Sequence, residues 1–113
     1  MKCLYCNDDL EGDISYIHNK IYYKKCPSCI EVGLGYFIQN NIITHIEFAF
    51  YTNDNKGLFP IIEYIMELSM IDNEITIFYM GSDIMIIPYI PKDLNSSNAK
   101  FYLDKFLKLA AFS

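Results

Sequence analysis

Residues 58–71, LFPIIEYIMELSMI, decide how the second half of the chain folds. Two periods fit them. Helical spacing links Leu58, Ile61, Ile62, Ile65 and Leu68, and Pro60 suits a first helical turn. Strand alternation links Ile62, Tyr64, Met66, Leu68 and Met70 on one side. The helix is favoured. Its local fault is that Glu63 and Glu67 lie i,i+4 as like charges, which costs about 0.3 kcal/mol and is too little to decide the matter.

The flanks are clearer. Residues 34–51, LGYFIQNNIITHIEFAFY, read as a hairpin turning at Asn40-Asn41, with Gln39 opposite Ile42. That register collects Phe37, Ile42, Thr44, Ile46, Phe48 and Phe50 on one face. The other carries Tyr36, Ile38, Ile43, His45, Glu47, Ala49 and Tyr51. The first is the expected core face, because His45 and Glu47 prefer water. TNDNKG at 52–57 is a turn cluster. Residues 75–80 and 84–90 read as strands joined by Gly81-Ser82-Asp83, and Pro88 makes the second an edge strand or ends it early. A polar link over 92–98 offers Ser96 and Ser97 as helix caps. The helix expected after it, over 99–112, has an apolar stripe of Ala99, Tyr102, Leu103, Phe106, Leu107 and Ala110.

Towards the N-terminus, two β-rich runs, 14–18 and 21–25, flank Asn19-Lys20 and predict a tight hairpin with His18 opposite Ile21. This hairpin lies between two cysteine pairs, Cys3-Leu4-Tyr5-Cys6 and Cys26-Pro27-Ser28-Cys29, nineteen residues apart. Two C-x-x-C pairs at this separation form a metal signature, each presenting two sulfurs to one ion. Disulfides are the competing reading, and a thioredoxin-like redox pair is a weaker one, since the residues after Cys29 do not read as a helix start. The arrangement resembles the zinc-ribbon superfold over residues 1 to about 39. The resemblance implies knuckle, hairpin, knuckle and third strand around one structural Zn²⁺ held by Cys3, Cys6, Cys26 and Cys29. Many such knuckles carry Gly after the second cysteine. Here Asn7 and Ile30 stand there, and Asn tolerates the left-handed backbone better than Ile does.

The expected fold class is therefore α+β. An N-terminal four-cysteine zinc ribbon, residues 1–30, continues into a small antiparallel β-sheet with a middle helix and a C-terminal helix, residues 31–113, as one structural unit.

Charge narrows the function. The nine basic residues are all Lys, and fourteen acids bring the net charge to −5. Residues 1–30 hold four of each sign, so 31–113 carries the whole excess. Arg supplies the forked contact to phosphate and guanine, and its absence from an acidic chain disfavours nucleic acid as partner. One exception is local: Lys20, Tyr22, Tyr23, Lys24 and Lys25 interleave cations with stacking rings and could contact a nucleic acid. No apolar run approaches the roughly 18 residues of a membrane helix. The first ten residues, MKCLYCNDDL, lack a signal-peptide apolar core, so a cytoplasmic address is expected. No phosphate loop, dinucleotide turn or nucleophile elbow occurs. His45 and Glu47, two apart on one strand face, form the one candidate acid/base pair. These features point to a small non-enzymatic protein that binds a larger protein partner. An accessory, inhibitor or regulator of viral or phage type is expected, with a nucleic-acid or transcription-associated module as the alternative and a small enzyme as the lesser one.

Overall fold

The structure is a computed structural model. It describes residues 2–10, 17–18, 21–25, 33–51 and 61–111, with side chains left out for 17–18, 21–25 and Ala111. Seven strands follow in chain order: β1 (Ile17–His18), β2 (Ile21–Lys25), β3 (Gly33–Gln39), β4 (Ile42–Tyr51), β5 (Ile62–Ser69), β6 (Glu74–Tyr79) and β7 (Ser82–Ile87). One helix, α1 (Ala99–Ala111), comes last. Every strand pairs antiparallel with its neighbours in sequence, so the sheet is a plain meander in the order β1 to β7.

The turns follow from residues that accept positive φ. Asn40 and Asn41 lie at 53° and 62° between β3 and β4. Met80 and Gly81 lie at 49° and 89° between β6 and β7. Both are two-residue turns whose twist matches that of the strands they join. His18 faces Ile21 and Gln39 faces Ile42, as expected from sequence. Pro88 follows the last residue of β7, which is an edge strand.

The expected middle helix is overturned. Residues 62–69 form β5, an interior strand bonded to β4 on one side and β6 on the other. Met66 and Leu68 are fully buried, between Phe48 and Ile77 and between Ile46 and Ile75. A helix here would have left β4 and β6 each with one unpaired edge. Two ladders of backbone hydrogen bonds outweigh a weak local preference. The expected zinc ribbon is overturned as an architecture as well. β1 and β2 form one margin of the same seven-stranded sheet, and β3, the would-be third ribbon strand, is an interior strand between β2 and β4. The reason is burial: Leu34, Tyr36 and Ile38 of β3 belong to the main core.

That core lies on one face. It joins Leu34, Tyr36 and Ile38 to Ile46, Phe48 and Phe50 of β4, Met66 and Leu68 of β5, Ile75 and Ile77 of β6, and Ile87 of β7. Two segments cover it. From α1, Ala99, Leu103 and Phe106 are completely buried in it. From residues 2–10, Cys3 and Leu10 join it, and the Tyr5 ring stands 5.6 Å from that of Phe48. The helix begins from an asparagine network in place of the expected serine caps. Asn98 accepts the Tyr102 N–H through its carbonyl, and its side-chain oxygen accepts the Asn95 N–H at 2.8 Å.

The sequence-derived core face holds for Ile46, Phe48 and Phe50 but fails for β3, where Tyr36 takes the place expected for Phe37. A β-bulge explains it. Phe37 faces His45 while Ile38 faces Ile43, so Thr44 is an extra residue in β4. Its hydroxyl donates to the Phe37 carbonyl at 3.2 Å and its carbonyl accepts the Met70 N–H at 2.9 Å. One inserted residue exchanges the two faces of the strand beyond it.

Candidate functional site

Two features carry chemistry, the cysteine loop at the N-terminus and the second face of the sheet.

The loop winds around Cys3. Asn7 N–H donates to the Cys3 carbonyl at 3.0 Å, and Asn7 takes a left-handed φ of 63°. Cys3 N–H donates to the Asp8 carbonyl at 2.8 Å. Tyr5 N–H points at the Cys3 sulfur at 3.4 Å. Tyr36 reaches up from β3, accepting the Leu4 N–H at 3.0 Å and leaving its own proton for the Cys3 sulfur at 3.1 Å. Burial pushes the Cys3 thiol up. The hydrogen bonds from Tyr36 and from the backbone of Cys6 and Tyr5, with a further one from the Cys6 side chain, outweigh it and bring it to about 7. Tyr5 is pushed up to about 12, by burial and then by the neighbouring sulfur. Donors gathered on a sulfur favour its thiolate, the form a metal binds. Among the described residues, no group of three or more His, Cys, Asp or Glu stands together to hold an ion. Cys6 is exposed at the loop's rim. Cys26 and Cys29 lie outside the described residues. β2 ends at Lys25, opposite Gly35, and Lys24 faces Tyr36, on which Cys3 rests.

The second face carries the side chains that alternate with the core. Its central row runs from Gly35 through Glu47, Glu67 and Thr76 to Ile86. Beside it lie Gly33, Ala49, Ile65, Phe78 and Asp83 on one side, and Phe37, His45, Ser69 and Glu74 on the other. Among the described residues, neither the helix nor residues 2–10 reach it, because both pack on the opposite face. Glu47 and Glu67 face each other directly across β4 and β5, both half-buried. Among the described residues, no hydrogen bond or ion pair reaches either carboxylate: the ion pairs are Lys2–Asp9 at 2.8 Å and Lys100–Asp104 at 3.3 Å. Burial, and then the charge of Glu67, push the Glu47 carboxyl up to about 7.

His45 and Glu47 share this face, as expected, but each has other company. His45 shares a 3.1 Å hydrogen bond between Nδ1 and the Thr44 hydroxyl and stands edge-on to Phe37, ring centres 6.2 Å apart. Ser69, opposite His45, turns its hydroxyl to Asp72, donating to its carboxylate at 3.3 Å and accepting its N–H at 3.0 Å. Tyr22, Tyr23, Lys24 and Lys25 lie on β2 facing Ile38, Phe37, Tyr36 and Gly35 in register. Their side chains, and Lys20 altogether, lie outside the described residues. On the outer side of α1, Phe101 and Leu109 are exposed with Lys105 and Lys108 around an open groove of about 420 Å³.

Sequence reading misses two partners. Without the bulge, the alternation of β3 and β4 puts Tyr36 on the wrong face. On a helix, the neighbour of Glu67 would be Glu63; the strand alternation of 62–70, opposed to that of 43–51, is the signal that sets it against Glu47. No family model matches this chain, and neither a curated protein nor a solved structure matches it.

Proposed function

We propose that this protein is a non-enzymatic interaction module that docks on a larger protein partner through the second face of its sheet. It acts as an accessory, inhibitor or regulator of viral or phage type. The observation that carries this reading is the face itself. It holds apolar side chains such as Ile65, Phe78 and Ile86 around two half-buried carboxylates that no cation of the described residues neutralises. An antiparallel sheet face turned only to water is polar, whereas apolar side chains left on such a face mark an interaction site.

In this reading one Zn²⁺, bound by Cys3, Cys6, Cys26 and Cys29, is a structural clasp. It ties the N-terminal segment to the end of β2 and leaves no open position for catalysis. The working compartment is the cytoplasm, where thiols stay reduced. No helix among the described residues is long and apolar enough to cross a membrane. A nucleic-acid role rests on the sequence from Lys20 to Lys25 and runs against the net charge.

Site-specific photo-crosslinking in the producing cell tests the docking. A benzophenone side chain at Thr76, in the central row, should give a discrete adduct with one protein. The same group at Lys100, on α1, should not. Adducts from Lys100 alone would contradict the reading.

A further inference from the structure

We infer that β7 is a pairing edge. It joins β7 of a second copy of this chain, antiparallel about a twofold axis at Met85, with Ile84 of each copy opposite Ile86 of the other. This goes beyond docking on a larger partner and does not depend on it.

Backbone groups turn alternately to one side and the other along an antiparallel strand. Met80 N–H donates to the Glu63 carbonyl at 2.9 Å. In the register that sets Tyr64 opposite Tyr79, Glu63 and Met80 are therefore a hydrogen-bonded pair, and so are Ile65 with Phe78 and Glu67 with Thr76. Ile75, Ile77 and Tyr79 accordingly turn their groups the other way, to β7, where they meet Ile87, Met85 and Ser82. Ile86 faces Thr76, and Asp83 faces Phe78 with Ile84 as the extra residue of a bulge. Thr76 and Phe78 are both committed to β5, so the N–H and C=O groups of Ile84 and Ile86 point away from the sheet. β7 is the last strand, and among the described residues no backbone bond joins Ile84 or Ile86 to another segment.

The side chains along this edge invite pairing. Lysines commonly guard an exposed edge, yet Ser82–Ile87 holds none, and Ile84 and Ile86 are 48% and 58% exposed. The open stretch is bounded by the bulge at one end and at the other by Pro88, which has no N–H to offer. Between them, Ile84-Met85-Ile86 reads the same in both directions. An antiparallel second copy presents these residues reversed, which is why a copy of this chain fits the edge. A twofold axis at Met85 sets isoleucine against isoleucine on both sides of it, and each such pair exchanges its N–H and C=O groups. Pro88 then falls opposite Ser82, whose groups are already taken by Tyr79, so the ladder ends without stranding a donor. Asp83, the one charge of β7, falls opposite Ile87. The two Asp83 residues lie roughly 13 Å apart along the strands, beyond the screening length of about 8–10 Å. Pairing runs in the plane of the sheet, so it widens the second face and does not cover it.

Sedimentation velocity and amide hydrogen exchange on the full chain test this, from about 10 µM to about 1 mM, the range in which an interface below about 1,200 Å² associates. A monomer–dimer equilibrium should appear. The Ile84 and Ile86 amides should exchange about tenfold more slowly at the highest concentration than at the lowest, while those of Met85 and Ile87, already bonded to β6, change little. Ile86→Pro removes one outward N–H, and Ile84→Lys sets a cation on the edge while keeping every backbone group. Both should stay monomeric throughout, and the lysine variant decides the matter if the proline variant does not fold. A monomer at every concentration would overturn the inference. A dimer that Ile84→Lys leaves intact, or one in which the Ile84 and Ile86 amides stay fast, would overturn it by placing the contact elsewhere. Protection of these amides that is independent of concentration would overturn it by closing the edge within one chain. Adducts from Thr76 are unaffected by any of these results, so the docking reading stands or falls separately.

Discussion

Single side chains decide much of this molecule. Tyr36 is the post on which the N-terminal loop rests, since its hydroxyl serves both the Leu4 N–H and the Cys3 sulfur. Tyr36→Phe should therefore lower unfolding stability by about 1–2 kcal/mol, the ordinary worth of such buried bonds, as read from urea denaturation. An unchanged midpoint would mean that the hydroxyl does not hold the loop. Glu47 makes an opposite prediction. Its carboxyl is pushed from 4.5 to about 7 in the folded chain, by burial and then by Glu67. The folded state thus holds this proton more tightly than the unfolded state does. Stability should fall as pH rises from about 4.5 to about 7 and level off above. The groups facing Glu47 are Glu67 across on β5 and His45 two residues along β4, with Lys25 holding the row position beyond Gly35. Glu47→Gln should remove this contribution to the slope and be the more stable protein at pH 8. Thermal midpoints measured against pH for the two proteins check it, and parallel curves would contradict it.

At the scale of elements, some breaks are legible because their chemistry is local, although the β6–β7 turn, expected at Gly81-Ser82-Asp83, falls at Met80-Gly81. Asn40-Asn41 and Pro88 mark their own positions, and the α1 stripe shows in the sequence as it does in the core, apart from exposed Ala110. Two things are not legible. The choice between helix and strand for 62–69 depends on whether β4 and β6 need a common partner, which no window of that length contains. The side of the sheet taken by Tyr36 depends on the bulge at Thr44, whose bonds go to Phe37 and to Met70, twenty-six residues away. Residues 2–10 form a loop around Cys3, and the sheet beyond it is a continuous meander and not the expected ribbon. The helix has its own test. Phe106 is completely buried, with its ring edge-on to Tyr89 at 6.1 Å. Phe106→Ala should cost about 3–5 kcal/mol in the same denaturation experiment, and a neutral result would detach α1 from the sheet.

The whole molecule is asymmetric in section: a seven-stranded sheet with a helix and an N-terminal loop on one side and an acidic, partly apolar face on the other. The proposed metal clasp belongs to the covered side, where it would tie residues 2–10 to the end of β2. Elemental analysis should find about one zinc per chain, and Cys3→Ser should lose both metal and thermal stability. A metal-free protein of full stability would contradict the clasp and leave the loop held by Tyr36 and by the packing of Cys3, Tyr5 and Leu10 on the sheet. The two faces of the sheet should differ in their access to solvent. This is read most directly from the isoleucine methyl signals in the presence of a soluble gadolinium chelate. Exposed Ile86 should broaden strongly and half-buried Ile65 in part, whereas Ile46, Ile75 and Ile77 should persist. Equal protection of all five would mean that the second face is covered, and would contradict it.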